Sequence, residues 1–269
     1  MLDKIRTFRF DAAEQGVYAR DGFVVREGVF SREECVAIAA DCEKLIADLE
    51  AAQRRTKHLV GSYMFEALKD LATYVKWEPG APDVVQGVEP FAHISRPLEA
   101  WGLDSRLLDP CKDIVGEDDI VLFTEKLNVK RAKRGGPIVL HQDFPYWEGM
   151  TPVAHRMATA MVFLDDATIE NGCLEVAPGS HTVGKHAQRQ TEGFGALEMD
   201  PYAFDLTRLV PLEVPADTVA FFGAFLVHRS LPNRTDGDRR ALLYTYQPEG
   251  HPHTLELNRQ FSAKRAEAG

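Results

Sequence analysis

His141-Gln-Asp143 places an imidazole and a carboxylate two residues apart, and the apolar, partly β-branched run Pro137-Ile-Val-Leu140 leads into it. Such a run reads as a buried strand. Side chains alternate across a strand, so His141 and Asp143 are expected on one face. A neutral imidazole and a carboxylate on one face are two parts of a metal site. A second histidine would complete the two-histidine, one-carboxylate facial triad that holds ferrous iron and leaves the opposite coordination positions open. His228 is the candidate, because it ends the apolar stretch Ala224-Phe-Leu-Val in a strand-rich region. Taken singly, His-x-Asp also fits a hydrogen-bonded turn, and a lone histidine at a strand end also fits a core residue with its bonds satisfied.

Beyond His228 come Ser230, Asn233 and, eleven positions on, Arg239 followed by Arg240. An arginine in a β-core near a metal needs an anionic partner; its planar fork binds a carboxylate bidentately and stays charged when desolvated. Strand alternation turns Arg239 and Arg240 to opposite faces. The ordinary alternative for each is a surface ion pair with Asp236 or Asp238. Phe144, Tyr146 and Trp147 follow the first motif and suit either core packing or the wall of a small-molecule pocket. Other histidines carry less. His181 and His186 have no carboxylate at ligand spacing and read as loop residues, His155 has no reading of its own, and His251-Pro-His253 reads as an exposed pair in a tail. Lys126, Lys130, Arg131, Lys133 and Arg134 form a basic run whose later members suit a solvated hairpin turn.

These residues need a scaffold, and the patterning supplies one. The chain has 269 residues, 45% hydrophobic and 27% charged, which suits a soluble globular domain with a sizeable core. A formal net charge of −10 argues against nucleic acid or an anionic membrane surface as the main partner. The four cysteines form no C-x-x-C pair, there is no apolar run of membrane-spanning length and the N-terminus lacks an apolar leader segment, so a cytoplasmic protein with reduced thiols is expected. Asp21-Gly22-Phe23 reads as a turn into a strand. Ser31-Arg-Glu-Glu34 is a capping box opening a helix to about Arg54, with Val36, Ile38, Ala39, Leu45, Ile46 and Leu49 on its apolar stripe. Residues 63–71 suggest a helical turn or two, and 76–90, with its prolines and glycines, a loop. Residues 92–101 and 105–115 are helix candidates that Pro97 and Pro110 should break. From Ile120 onward about seven short strands alternate with turn signals, predicting a mostly β fold with flanking helices. One domain is expected over 1–269: a mainly helical part over 1–118, a β core over 119–248 and a tail over 249–269.

His141-Gln-Asp143, Asn171-Gly172, Pro178-Gly179-Ser180-His181 and His228-x-Ser230-x-x-Asn233 with Arg239 together resemble the phytanoyl-CoA dioxygenase family, and the resemblance covers roughly residues 21–247. It implies a double-stranded β-helix (jelly-roll, cupin-like) fold that uses Fe(II), 2-oxoglutarate and O2. In that chemistry 2-oxoglutarate is decarboxylated to succinate and CO2, and a small-molecule C–H bond is hydroxylated. It also implies His141, Asp143 and His228 as iron ligands, with Arg239 on the distal carboxylate of 2-oxoglutarate and Ser230 beside it. Lys126, Asn128 and Trp147 look most like the ectoine hydroxylase branch, where residues of that strand help hold the cosubstrate. The chain departs from that branch after Trp147, with Glu148-Gly-Met-Thr, which points away from ectoine. Two alternatives stand beside this one: a sensor that binds metal and 2-oxoglutarate without turnover, and a cupin-type metalloenzyme that needs no 2-oxo acid. Residues 184–206 have no clean period. They could form a substrate lid, with Phe194, Met199, Tyr202 and Phe204 beneath it and Arg189 facing an anion, or a packed surface insertion.

Overall fold

Two capping boxes start the two N-terminal helices. The Asp11 carboxylate accepts from the Glu14 N–H while Glu14 accepts from the Asp11 N–H, opening α1 (Ala12–Asp21); Ser31 and Glu34 repeat the device for α2 (Arg32–Ala52). A computed structural model describes residues 7–53, 56–189 and 197–267. In chain order the elements are α1, β1 (Phe23–Arg26), α2, β2 (His58–Val60), β3 (Tyr63–Leu68), β4 (Thr73–Glu78), β5 (Ala81–Glu89), α3 (Arg96–Gly102) and α4 (Ser105–Val115). There follow β6 (Ile120–Lys130), β7 (Ile138–His141), α5 (Phe144–Trp147), β8 (Ala158–Phe163), β9 (Leu174–Val176), β10 (Val210–Leu212), β11 (Val219–Gly223), β12 (His228–Ser230), β13 (Arg239–Pro248) and α6 (Thr254–Glu267).

The strands form two antiparallel sheets, a larger one ordered β1-β11-β8-β13-β6-β5-β4-β3-β2 and a smaller one ordered β10-β9-β12-β7. This is the jelly roll. Alternation assigns the two faces of the larger sheet. Leu242, Tyr244 and Tyr246 of β13 point outward into the main core, against Ile38, Leu45 and Ile46 of α2 and Leu107 and Cys111 of α4. The intervening Ala241 and Leu243 point inward, toward the smaller sheet, where Met161, Phe163, Leu174 and Val176 pack. The outer face is therefore a helix-covered structural core, and the inner face is free to carry chemistry.

The N-terminal part departs from two expectations, helical turns over residues 63–71 and a loop over 76–90. Residues 63–71 form β3 and a 3-10 turn, and 76–90 is largely β4 and β5, so a four-stranded extension (β2–β5) continues the larger sheet past β6. The signal was there: Thr-Tyr-Val-Lys-Trp-Glu alternates, and Pro79-Gly80 marks the hairpin turn. Pro97 falls in the first turn of α3, where a missing N–H is harmless, and α4 runs through Pro110 at the loss of one backbone bond. Val36 is 71% exposed rather than on the buried stripe of α2. The C-terminal stretch also differs from an exposed tail. His253 Nε2 lies 2.9 Å from the buried Glu125 carboxylate, whose other oxygen accepts from the Phe91 and Ala92 N–H groups, so the histidine pins the start of α6 to β6. None of the described helices is long and apolar enough to cross a membrane. All four cysteines are free and buried.

Candidate active site

β12 lies between β9 and β7, in a register that makes His228 the direct partner of His141. Paired positions on antiparallel strands put their side chains on one face, and the two imidazole centroids are 4.1 Å apart. Asp143 arrives by another route than the one its spacing suggested. β7 ends at His141, and Asp143 has helical backbone angles (φ −74°, ψ −31°) at the N-terminal cap of α5. The Phe144 N–H donates to Ala224 O and holds this turn against the loop before β12. The carboxylate thereby comes 3.7 Å from His141 Nε2, and one ligand atom from each of the three residues falls within 4.8 Å of the others.

The donor set fits a ferrous ion. His141 Nδ1 is 2.8 Å from Val139 O and His228 Nδ1 is 3.0 Å from Leu226 O. A main-chain carbonyl can only accept, so each Nδ1 carries the proton and each Nε2 keeps its lone pair. Burial, then the neighbouring His228, holds His141 well below the usual imidazole range, so it stays neutral as a ligand must. Gln142 faces the opposite way. Its amide donates to Gly184 O and Phe225 O and accepts from the His186 N–H, tying β7 to two loops. Its placement between the two ligands was the available signal for that role.

The triad opens on a cavity of about 440 Å³ between the two sheets, within the size range of small-molecule sites at roughly 300–1,000 Å³. Lys126, Asn128, Trp147, Ser230 and Arg239 also line it, so all the candidate site residues converge. Arg239 is 2% exposed. Among the described residues its one hydrogen bond is from Nη2 to Gly172 O at 2.9 Å, its Nε has no partner, and no carboxylate lies within ion-pairing reach. Burial pushes it down to about 10, and burial with Arg239 alongside pushes Lys130 down to about 6. A desolvated guanidinium with no carboxylate of its own among the described residues makes a seat for an anion. Arg240 faces away, gripping Asp165 through two nitrogens at 2.8 and 2.7 Å. The strand phase assigned to this pair is the one observed, although the carboxylates are Asp165 and Glu43 rather than Asp236 or Asp238. Lys126 is paired with Glu89 at 3.1 Å.

The remaining motifs prove to be supports. Ser180 Oγ accepts from the Val227 N–H, beside His228, and the Gly179 N–H donates to Asp21 O. His181 packs so closely on Gly22 (φ +84°) that a Cβ there would fall 2.4 Å from its Nδ1. Asn171 closes its turn by accepting from the Thr168 N–H and donating to Asp166 O. That turn holds Gly172 at φ +74°, where a Cβ would come 2.0 Å from Leu231 O. Gly172→Ala should cost on the order of 1–3 kcal/mol for the left-handed backbone alone. It should also weaken the binding of an anion such as 2-oxoglutarate, if one is held at Arg239, by shifting the carbonyl that orients that side chain. Urea denaturation and calorimetric titration would check both.

Residues 184–206 do not line the cavity where they are described, and Phe194 lies outside the described residues, as do Gly193 and Gly195. Met199 and Phe204 pack with Leu140 and Val227 behind the metal-bearing strands, while Tyr202 is 98% exposed. Arg189 meets the buried Glu198, which also receives Ser62 from the β2–β3 turn. The described part of the stretch is a brace. The wall expected of a lid is supplied instead by Val60, Tyr63, Phe65 and Tyr74 of the β2–β5 extension.

A jelly roll with a two-histidine, one-carboxylate cluster in its mouth defines a class shared by many metal-dependent oxygenases. The profile of the phytanoyl-CoA dioxygenase (PhyH) family matches residues 18–241, and the chain belongs to that family. It is 23% identical over 253 residues to a phytanoyl-CoA dioxygenase domain-containing protein 1 homolog from Caenorhabditis elegans, covering 83% of this chain and 86% of the relative. It is 32% identical over 141 residues to a methylphosphonate hydroxylase from Gimesia maris, covering 51% of this chain and 48% of that one. An ectoine dioxygenase from Bordetella bronchiseptica is 29% identical over 167 residues, 61% of this chain and 47% of the relative. Among solved structures, EctD from S. alaskensis with 2-oxoglutarate and 5-hydroxyectoine superposes with a TM-score of 0.70 at 22% identity, covering 92% of this chain and 79% of that one.

Proposed function

We propose that this chain is an Fe(II)- and 2-oxoglutarate-dependent dioxygenase that hydroxylates an unactivated C–H bond of a small molecule, releasing succinate and CO2. The observation that supports it best is the pairing, across one cavity, of a metal-ready triad with a buried arginine that has no carboxylate of its own. Bound iron would supply the activation of dioxygen. The protein supplies position and shielding.

His141, Asp143 and His228 would hold the ion, a ligand set that leaves room for a 2-oxo acid and O2. Their Nδ1–carbonyl bonds fix ring orientation before any metal arrives. Arg239 meets the distal carboxylate of 2-oxoglutarate, with Ser230 beside it and Lys126 and Asn128 along the cosubstrate's flank. Trp147, stacked edge-on against Phe123, helps close the cavity to water. The methylphosphonate hydroxylase and the ectoine dioxygenase named above act on small molecules, in keeping with a cavity of this size and with no nucleic-acid or membrane partner. Four buried thiols fit a reducing cytoplasm.

The test is succinate release by the purified protein supplied with Fe(II), 2-oxoglutarate and O2. Release above a metal-free control supports an enzyme. Tight binding of iron and 2-oxoglutarate with no turnover across a broad metabolite panel would favour the sensor reading, and iron-dependent oxidation without 2-oxoglutarate the cupin-type one.

A further inference from the structure

Lys76 is a basic side chain of the cavity wall, pushed down to about 7 by burial, whose role neither the metal nor the cosubstrate requires. The other basic side chains on that wall have a partner or a role already: Lys126 pairs with Glu89, Lys130 donates to Gly136 O, Arg229 pairs with Glu175, and Arg239, which donates one bond to Gly172 O, is assigned above to the cosubstrate. Lys76 has neither a hydrogen bond nor an ion pair among the described residues. Its ammonium lies 4.0 Å from the centroid of the Tyr63 ring and 5.6 Å from that of Phe65. Three carboxylates act on it through charge without bonding it: Glu89 is held by Lys126 and Thr124, Glu78 by the Gly136 N–H and Gln86, and Asp143 belongs to the triad. Aromatic faces attract a cation but replace only part of the water it has lost.

Register shows where this cation works. Phe65, Lys76, Gly87 and Asn128 are successive partners across β3, β4, β5 and β6 and share the inward face. Gly87 keeps the floor open between Lys76 and Asn128, since a Cβ there would come 3.3 Å from Asn128 Oδ1. Arg239 is on β13, three strand spacings from β4, or about 14 Å. A five-carbon diacid running from Arg239 to the triad leaves the Lys76 end unfilled. That end is walled by Val60, Tyr63, Phe65 and Tyr74.

We propose that Lys76 anchors the anionic group, a carboxylate or phosphonate, of the compound whose C–H bond is oxidised, with the compound's apolar body lying on the β2–β5 extension. The proposal rests on the reading of the triad and Arg239 given above, and it names the substrate class for that site: a small monoanion with an apolar body.

Lysine labelled with 13C and 15N allows a test independent of turnover. The Lys76 side-chain signal is assigned by its absence in Lys76→Arg. Protein loaded with Zn(II) and 2-oxoglutarate is then titrated into the millimolar range with butyrate, propylphosphonate and butyramide. The two anions should move the Lys76 signal saturably while the neutral amide leaves it in place. Lys76→Met should weaken anion binding by at least about tenfold, with Lys76→Arg retaining most of it. A signal indifferent to both anions overturns the proposal. So does a signal that moves on addition of 2-oxoglutarate and then responds no further, which would assign Lys76 to the cosubstrate. Zn(II) and 2-oxoglutarate affinities measured on the same samples separate this failure from failure of the underlying site assignment.

Discussion

His141→Ala and His228→Ala should each reduce iron-dependent succinate release to the level of a protein-free control while leaving a folded protein. On the proposed reading the triad would supply three protein ligands, and two could not hold a ferrous ion in place against water and 2-oxoglutarate. Folding should survive because the main cores lie elsewhere, against the helices and between β8, β9 and β11. His228→Ala strands the buried Leu226 O at about 1–3 kcal/mol, and His141→Ala leaves the half-buried Val139 O, which water can reach more easily, without this partner. Equilibrium dialysis with iron, circular dichroism and succinate release on the same preparations would check all three statements. A double variant that still consumed 2-oxoglutarate would remove these histidines from the chemistry.

Arg239→Leu should weaken 2-oxoglutarate binding much more than iron binding. Truncating one partner of a buried, charge-assisted bidentate pair costs on the order of 2–5 kcal/mol, which corresponds to a loss of roughly 30- to several-thousand-fold in affinity. The wild type should prefer 2-oxoglutarate strongly over pyruvate, which lacks the distal carboxylate, and the variant should lose most of that preference. Arg240→Leu is the control on the opposite face. It breaks the pair with Asp165 and the contact with Glu43, so it should lower the melting temperature and leave 2-oxoglutarate affinity nearly unchanged. Calorimetric titrations of both variants with both acids would decide. Equal losses in the two would mean that the effect is one of folding.

Why these variants are informative goes back to what each residue's position depends on. The phase of Arg239 and Arg240 is local: alternation along one strand settles which faces inward, once β13 is recognised as a strand. The same is true of the capping box at Ser31, whose donors and acceptors are three residues apart. Even the triad was legible as a list, because few residue sets other than two histidines and an aspartate leave half an octahedron open.

The pairing of His141 with His228 spans 87 residues of chain and exists only because β12 inserts between β9 and β7 in one register. Asp143 was assigned to the right cluster by a strand argument, but it is a helix cap held by a bond to Ala224 O that no local pattern specifies. His253 looked like tail until β6 brought Glu125 beneath it. The β2–β5 extension was misread because a strand against an open cavity carries mixed side chains, Lys76 beside Trp77, and its prolines and glycine mimic a loop. Residue types and short-range spacing thus determined the candidate metal ligands, the arginine phase and the helix starts, since backbone geometry repeats over two to four residues. Which side chains meet across the cavity, and that Lys76 faces it without a carboxylate bonded to it among the described residues, was decided only by tertiary structure, because sheet register is set by packing the whole inner and outer faces at once.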